Sequence, residues 1–259
     1  MGHNTDFRIP RMSISTINIA ILHNKSPWLP MWWSAALPGL GHLCQGQYFR
    51  GLVLMSWEIL VNSKARINMA ILYTFTGKFH QANEVLDYGW ALFYGVIFCF
   101  AIFDSYRISV TYNKLARLER YQTHRKYKFM TMSTYGVNYL DRANPWVALA
   151  WSALLSGFGH IYNHKALKGM ILLGWTVAII YFANINMAII HTSFGRFDLA
   201  EATVNYQWLL FFPSLYIFAM WDAYNDTVEM NKLFAEEQKA RLKKLYNPDK
   251  SQNIQVECQ

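Results

Sequence analysis

The chain has 259 residues, of which 53% are hydrophobic, 17% aromatic and only 15% charged. Soluble globular domains carry about 25% charged residues and disordered chains are poor in aromatic residues, so this composition excludes disorder and argues against an ordinary soluble enzyme domain. The formal net charge of +8 would suit nucleic acid or an anionic membrane surface, and the apolar excess favours a multi-span membrane protein.

The chain repeats itself after 118 residues. Residues 27–119 align without a gap on residues 145–237, and more than a third of these positions are identical. The identical positions include the motif Gly-x-Gly-His at 39–42 and 157–160 and the run INMAI at 67–71 and 185–189. A match of this length without a gap indicates two copies of one structural unit, which we expect to pack as a pseudo-symmetric pair.

The repeat predicts a division of the chain into five parts. These are an N-terminal cytoplasmic segment at 1–26, a first membrane repeat at 27–112, a basic cytoplasmic linker at 113–144, a second membrane repeat at 145–230, and a C-terminal cytoplasmic helix and tail at 231–259. Each repeat contains three apolar segments. In the first repeat they cover 28–43, 51–75 and 88–103.

Segment lengths and helix breakers predict the fold class. About 20 apolar residues are needed to span a bilayer, which the second segment supplies and the third supplies if its last turn is included. The first segment is interrupted by Pro30, Pro38, Gly39 and Gly41 and is predicted as a re-entrant half-helix. The expected fold is an all-α integral membrane protein with two parallel repeats, each a re-entrant half-helix plus a transmembrane hairpin, giving four full spans. The alternative is three crossings in each repeat, with inverted repeats.

Basic residues decide between the two topologies. They crowd the N-terminal segment, the linker and the C-terminal tail, whereas the loops at 76–88 and 194–206 are balanced in charge. Because cytoplasmic loops carry an excess of Lys and Arg, both termini and the linker are predicted to be cytoplasmic. The parallel arrangement is therefore favoured over the inverted one.

The Gly-rich segments also carry a family resemblance. LPGLGHLCQGQYFRGLVLMSW followed by FAIFDSY, and LSGFGHIYNHKALKGMILLGW followed by FAMWDAY, resemble the TM-two domain superfamily and its bacterial LPGLGQ relatives. The resemblance covers 34–106 and 152–224 and implies a two-helix membrane hairpin in a bacterial cytoplasmic membrane. It implies no catalytic residues. The chain differs in its two fused copies and in His at 42 and 160, where relatives often have Gln.

Four glycines form the structural turns of the two motifs. Gly39, Gly41, Gly157 and Gly159 permit positive φ and a close approach between helices. The alternative is that the exposed N–H groups of each turn cradle an anion or a lipid headgroup. Helix packing is the favoured interpretation.

Four ionisable residues recur at matching positions. His42, Asp104, His160 and Asp222 are expected at one depth near the cytoplasmic interface, with a His–Asp hydrogen bond inside each repeat. The alternative is a metal site or proton relay made of all four. No metal-ligand spacing supports that alternative, so neither a metal nor any other cofactor is predicted.

A polar face in the second segment occurs in the first repeat only. Glu58, Asn62 and Arg66 recur every four residues and share one face of a helix. They predict either a polar site for a charged substrate or a shorter span in which Lys64 and Arg66 reach the outer interface.

The sequence contains no nucleophile elbow, phosphate-binding loop, dinucleotide fingerprint or zinc signature. It predicts a non-enzymatic multi-span membrane scaffold or adaptor. Its basic cytoplasmic helices would contact anionic lipid headgroups or a membrane or cytoplasmic protein partner, and not nucleic acid. The alternative is a small transporter or channel component that uses the polar groups inside the bundle. The oligomeric state is not predicted.

Overall fold

The computed structural model describes residues 9–15, 17–120, 130–133 and 136–246. The predicted basic positions Arg125, Lys126 and Lys128 of the linker, the first eight residues and the tail after Tyr246 lie outside these residues.

The described chain is largely helical, with two short hairpins. The first half contains β1 (Met12–Ile14), β2 (Ile19–Ile21), α1 (Trp28–Ala36), α2 (Leu40–Cys44), α3 (Tyr48–Ala65), α4 (Ile67–Phe75), α5 (Phe79–Val85) and α6 (Tyr88–Arg120). The second half contains β3 (Met130–Ser133), β4 (Gly136–Tyr139), α7 (Pro145–Leu154), α8 (Phe158–Tyr162), α9 (Ala166–Phe182), α10 (Ile185–Ser193), α11 (Phe197–Thr203), α12 (Tyr206–Leu209) and α13 (Phe212–Leu245). The two halves have the same order of elements, except that the last helix of the second half is divided.

The two hairpins extend the correspondence between the halves toward the N-terminus. β1 pairs antiparallel with β2, with Met12 opposite Ile21, and β3 pairs antiparallel with β4, with Met130 opposite Tyr139. Both positions of the second pair lie 118 residues after those of the first. The sequence did not predict these strands, because three to four residues are too short for a clear alternating pattern.

The prediction of four full spans is wrong. Within the described residues, only α6 is by itself long and apolar enough to cross a membrane. α9 and α10 meet the same requirement only as a pair, and they are bent by 60° at their junction. The arrangement of two repeats, each with a half-helix and a transmembrane hairpin, is therefore corrected to a helical body with one candidate span, or two if the bent pair counts as one.

Backbone breaks and charges explain the shortage of spans. Arg66, directly after α3, and Asn184, directly before α10, adopt left-handed conformations, with φ of 56° and 57°. This conformation interrupts the hydrogen-bonding pattern of a helix, so the apolar run beyond it becomes a separate nine-residue helix. In the second half, the third apolar segment is divided between α12 and α13, and α13 carries Asp222 and Asp226.

The halves meet in one apolar core. Its fully or almost fully buried members are Leu37, Leu40, Leu43, Cys44, Met55 and Ile59 from the first half and Leu172, Ile179, Phe211, Leu215, Phe218 and Ala219 from the second. Trp33 of α1 lies across the boundary, with its ring centroid 5.1 Å from those of Phe218 and Trp221. Burial of this surface ties the halves into one body, because apolar area removed from water contributes roughly 25 cal/mol per Å².

A second, smaller core fixes the N-terminal hairpin against the other half. Met12, Ile14 and Ile19 are buried beside Met230 and Leu233 of α13. The first hairpin therefore packs on the last helix of the second half. This brings the segment after β2 close to Glu229 of α13.

Candidate functional site

The Gly-rich turns place a histidine inside each half. Gly39 and Gly157, with φ of 102° and 109°, precede α2 and α8. A Cβ atom added to Gly41 would lie 2.0 Å from the backbone oxygen of Pro30, and one on Gly159 would meet the corresponding carbonyl at 2.1 Å. Glycine is thus required by the close crossing of α1 over α2 and of α7 over α8.

Each histidine binds the aspartate of its own half. His42 Nε2 lies 3.2 Å from Asp104 Oδ2, and His160 Nε2 lies 2.8 Å from Asp222 Oδ2. All four side chains are buried. Within the described part of the chain, the group that brings three possible metal ligands together is His160, Asp222 and Asp226, so the four predicted residues do not form one site.

In the first half, the histidine–aspartate pair extends to the surface. Asp104 accepts hydrogen bonds from Arg50 at 3.2 Å and from Arg107 at 2.5 Å. The side chains of both arginines are more than half exposed. The charge of Asp104 is therefore compensated by cations in contact with the surrounding medium.

In the second half, the equivalent pair belongs to a buried charge cluster. Lys168, at the position that corresponds to Arg50, is 2% exposed and its ammonium contacts Asp222 and, at 3.0 Å, Asp226. Lys165 Nζ lies 2.7 Å from Asp226 Oδ1. Two lysines and two aspartates thus compensate one another out of contact with solvent, which buried charges require.

The neighbouring cations determine the protonation of this cluster. Burial alone would raise the pKa of Asp226, but the positive charges of Lys165 and Lys168 outweigh it and hold that pKa well below its usual range. His160, Asp222 and Asp226 are residue types that bind divalent metals, and their ligand atoms lie within 4.8 Å of one another. The ammonium of Lys168 contacts the carboxylates of both Asp222 and Asp226, so the positive charge between these two ligands comes from a lysine.

The cluster continues to the segment after β2. Glu229 Oε1 is 2.8 Å from His23 Nε2 and 3.1 Å from Lys25 Nζ. Burial alone would raise the pKa of Glu229, but the hydrogen bond with His23 and the charge of Lys25 hold it below its usual range. Lys25, Lys165 and Lys168 thus lie among three carboxylates, those of Asp222, Asp226 and Glu229.

The sequence did not predict this charge cluster. Lys165 and Asp226 align with the uncharged Gln47 and Ile108, so the repeat pattern draws attention away from them. A usable signal was present: Asp222 and Asp226 are four residues apart and share a face of α13. At the positions of Lys165 and Asp226 the second half carries one positive and one negative residue, and the first half carries none at the aligned positions.

The predicted polar face of α3 is only partly formed. Glu58 and Asn62 are buried, and Asn62 Nδ2 donates to Glu58 Oε1 at 3.2 Å. Arg66 is exposed at the break after α3 and does not join them. Gln207 Nε2 donates to Asn62 Oδ1 at 2.9 Å, and Asn68 Nδ2 donates to the backbone oxygen of Gln207 at 2.8 Å. The group is therefore a junction between the halves.

Comparisons of the chain with protein-family models, with curated proteins and with solved structures found no match. The resemblance to the TM-two domain superfamily stays a prediction.

Proposed function

We propose that this protein is a non-enzymatic membrane-anchored scaffold or adaptor, with α6 in the bilayer. The exposed apolar face of α6 carries the proposal. Leu92, Val96 and Phe103 are 79%, 71% and 65% exposed, and Phe100 lies between them on the same side of the helix. Soluble monomers rarely leave so continuous an apolar surface uncovered, and lipid chains would cover it.

The charge along α6 supports an orientation. The apolar part of the helix is followed by Arg107, Lys114, Arg117 and Arg120. The excess of basic residues on cytoplasmic sides favours a cytoplasmic position for this end. Each Lys or Arg near an anionic surface adds about 1 kcal/mol of attraction, so these side chains suit anionic headgroups.

Two contacts bring both ends of the described chain to one end of the molecule. Asn113 of α6 binds the backbone of Lys25, and Arg11 contacts Glu236 near the end of α13. The N-terminal hairpin, the basic end of α6 and the last turns of α13 therefore lie at one end of the molecule.

Burial of the polar groups favours a scaffold over the alternative transporter. His42, His160, Glu58 and Asn62 are at most 2% exposed, and each hydrogen-bonds a neighbouring side chain. A transport pathway needs water contact at such groups. Their arrangement supports a role in holding helices together.

Membrane extraction tests the anchor. The wild-type chain should stay with membranes through an alkaline carbonate wash and be released by detergent. The double variant Leu92→Glu/Val96→Glu should be released by carbonate, because it places two negative charges on the lipid-facing surface. Leu118→Glu alters an exposed apolar residue of the basic part of the same helix and serves as the control. Release of the wild type by carbonate would contradict the anchor.

Photo-crosslinking tests the adaptor. A crosslinkable residue at Leu118 or Leu242, both exposed at the basic end, should give one discrete protein adduct in intact cells. The adduct should disappear when Arg117→Glu is added. Lipid adducts alone would contradict a protein partner.

A further inference from the structure

A cavity lies beside the buried charge cluster, between the N-terminal hairpin and the start of α9. Its volume is about 340 Å³. The turn after α2, the basic part of α6 and the segment after β2 form the remaining walls. It is therefore at the end of the molecule that we place at the headgroup level.

The charges of the walls are unevenly distributed. Arg11, Lys25, Lys165 and Lys168 line this cavity, and Glu229 is the one carboxylate among its described lining residues. A second cavity, of about 370 Å³, lies across the segment 21–25. Its lining includes Asp222, Asp226 and Glu236, which the first cavity does not reach. Lys165 and Lys168 line the first cavity only, Asp222 and Asp226 line the second only, and Arg11, Lys25 and Glu229 line both. The wall of the first cavity therefore carries four basic residues and one acidic residue.

Polar atoms in the wall of the first cavity lack partners. Arg11 Nε and His23 Nδ1 are buried and make no hydrogen bond with the described residues. Buried polar groups are nearly always hydrogen-bonded, so unpaired ones call for an explanation. An anionic oxygen would accept from the Arg11 N–H in a charge-assisted bond.

Part of the wall is apolar. Ile9, Ile21, Leu22 and Leu115 line the cavity and are each partly exposed. An inorganic anion would leave this surface uncovered, whereas a molecule with a hydrocarbon chain would bury it and gain roughly 25 cal/mol per Å² of apolar area.

From this division we propose that the cavity binds an anionic amphiphile, that is, a carboxylate or phosphate head attached to an acyl chain. The head would lie by Lys25 and Arg11, and the chain along Ile21 and Leu115. The inference rests on the proposed function in one respect, since a membrane would supply such molecules.

Binding is measured on the purified full chain in a neutral detergent, by isothermal titration calorimetry with short-chain probes. Dioctanoyl phosphatidic acid and decanoate should each bind at least tenfold more tightly than dioctanoyl phosphatidylcholine, and inorganic phosphate should bind weakly. Tighter binding of one anionic probe identifies the head, phosphate or carboxylate. Because these probes need no bilayer, failure here is distinguishable from failure of the anchor in the carbonate wash.

Four variants test the location. Lys25→Gln should weaken binding of dioctanoyl phosphatidic acid about tenfold, and Lys25→Arg should restore it. Glu229→Gln removes the carboxylate from the cavity wall and should tighten binding severalfold, which a merely structural role would not produce. Lys232→Gln lies on the second cavity alone and should leave binding unchanged.

A filling variant keeps the test valid if Lys25→Gln fails to fold. Ala20 is exposed on β2 and lines the cavity, so Ala20→Phe should occupy the space and abolish binding without altering the core. Equal affinity for phosphatidic acid and phosphatidylcholine, or unchanged binding by Ala20→Phe, would overturn the proposal.

Discussion

Asn113 binds both polar backbone atoms of Lys25: its Oδ1 accepts from the N–H at 2.9 Å and its Nδ2 donates to the carbonyl oxygen at 2.7 Å. Asn231, 118 residues later, makes the same two bonds to Ala143, at the same two distances. In each half this amide ties the chain that enters the first helix to the last helix. The clamp therefore closes each structural unit.

The clamp should contribute measurably to stability. Asn113→Ala or Asn231→Ala leaves a backbone N–H and a carbonyl without their partners, which we expect to cost about 1–3 kcal/mol of unfolding free energy. Denaturant unfolding in mild detergent measures this. Lys114→Ala, the next residue along α6, should change stability little. Equal stability of the wild type and both asparagine variants would show that water replaces the clamp.

The two halves should respond differently to loss of the cation beside their aspartate. Lys168→Met removes the cation that contacts Asp222 and one of the two that contact Asp226, and should cost about 3–5 kcal/mol. Arg50→Met, at the aligned position, removes a half-exposed side chain and should cost about 0–1 kcal/mol. Adding Asp226→Ile, which restores the residue type of Ile108, should recover part of the loss. Similar losses for the two single variants would contradict the difference in burial.

Removal of Lys168 should also expose a metal site. Lys168→Ala removes the ammonium that contacts Asp222 and Asp226, so that these carboxylates and His160 can bind Zn²⁺, whose usual ligands include imidazole nitrogen and carboxylate oxygen. Zn²⁺ should raise the melting temperature of this variant, and the additional change His160→Ala should abolish the effect. A comparable Zn²⁺ effect on the wild-type chain would show that the lysine does not occupy the site.

Close packing at the Gly-rich turns predicts a steric effect. In Gly41→Ala the new methyl group would meet the backbone of Pro30, so α1 and α2 must move apart, at a cost of about 1–3 kcal/mol or more. Gly95→Ala, in α6, meets nothing within 4 Å and should be neutral or slightly stabilising. Thermal unfolding of the two variants makes the comparison. A harmless Gly41→Ala would contradict the tight crossing.

The pH dependence of stability follows from Lys25 and Glu229. The folded-state pKa of Glu229 is lowered, so its contribution is present above the unfolded value of about 4.3 and is lost as the pH falls through the folded value. Burial opposes the charge of Lys25, but the surrounding acidic groups, among them Glu229 at 3.1 Å, outweigh burial and raise the pKa of Lys25. The contribution of Lys25 is present below about pH 10.4 and is lost as the pH rises through the folded value. Stability should therefore decrease at both extremes. Glu229→Gln should flatten the acidic side, and an unchanged acidic limb would contradict this assignment.

The residues that recur after 118 positions by themselves predicted the tight Gly-x-Gly turns and the hydrogen bond between each histidine and the aspartate 62 residues later. These features depend on residues that occur at the same positions in both copies. Residues that recur at the same spacing in one chain can be recognised as a structural motif from the sequence, before the fold is known.

Tertiary structure alone decided which apolar segments remain long helices and which charges become partners. Segment hydropathy does not register the left-handed break at Arg66 or Asn184, because the break is a backbone conformation. Lys168 and Asp226 are 58 residues apart, and only the packing of α9 against α13 makes their complementary charges neighbours. Lys168 and Asp226 replace the aligned Arg50 and Ile108 of the first half. Because a charge without a partner is tolerated at the surface and costly inside, the buried Lys168 and Asp226 depend on each other in a way that the half-exposed Arg50 does not.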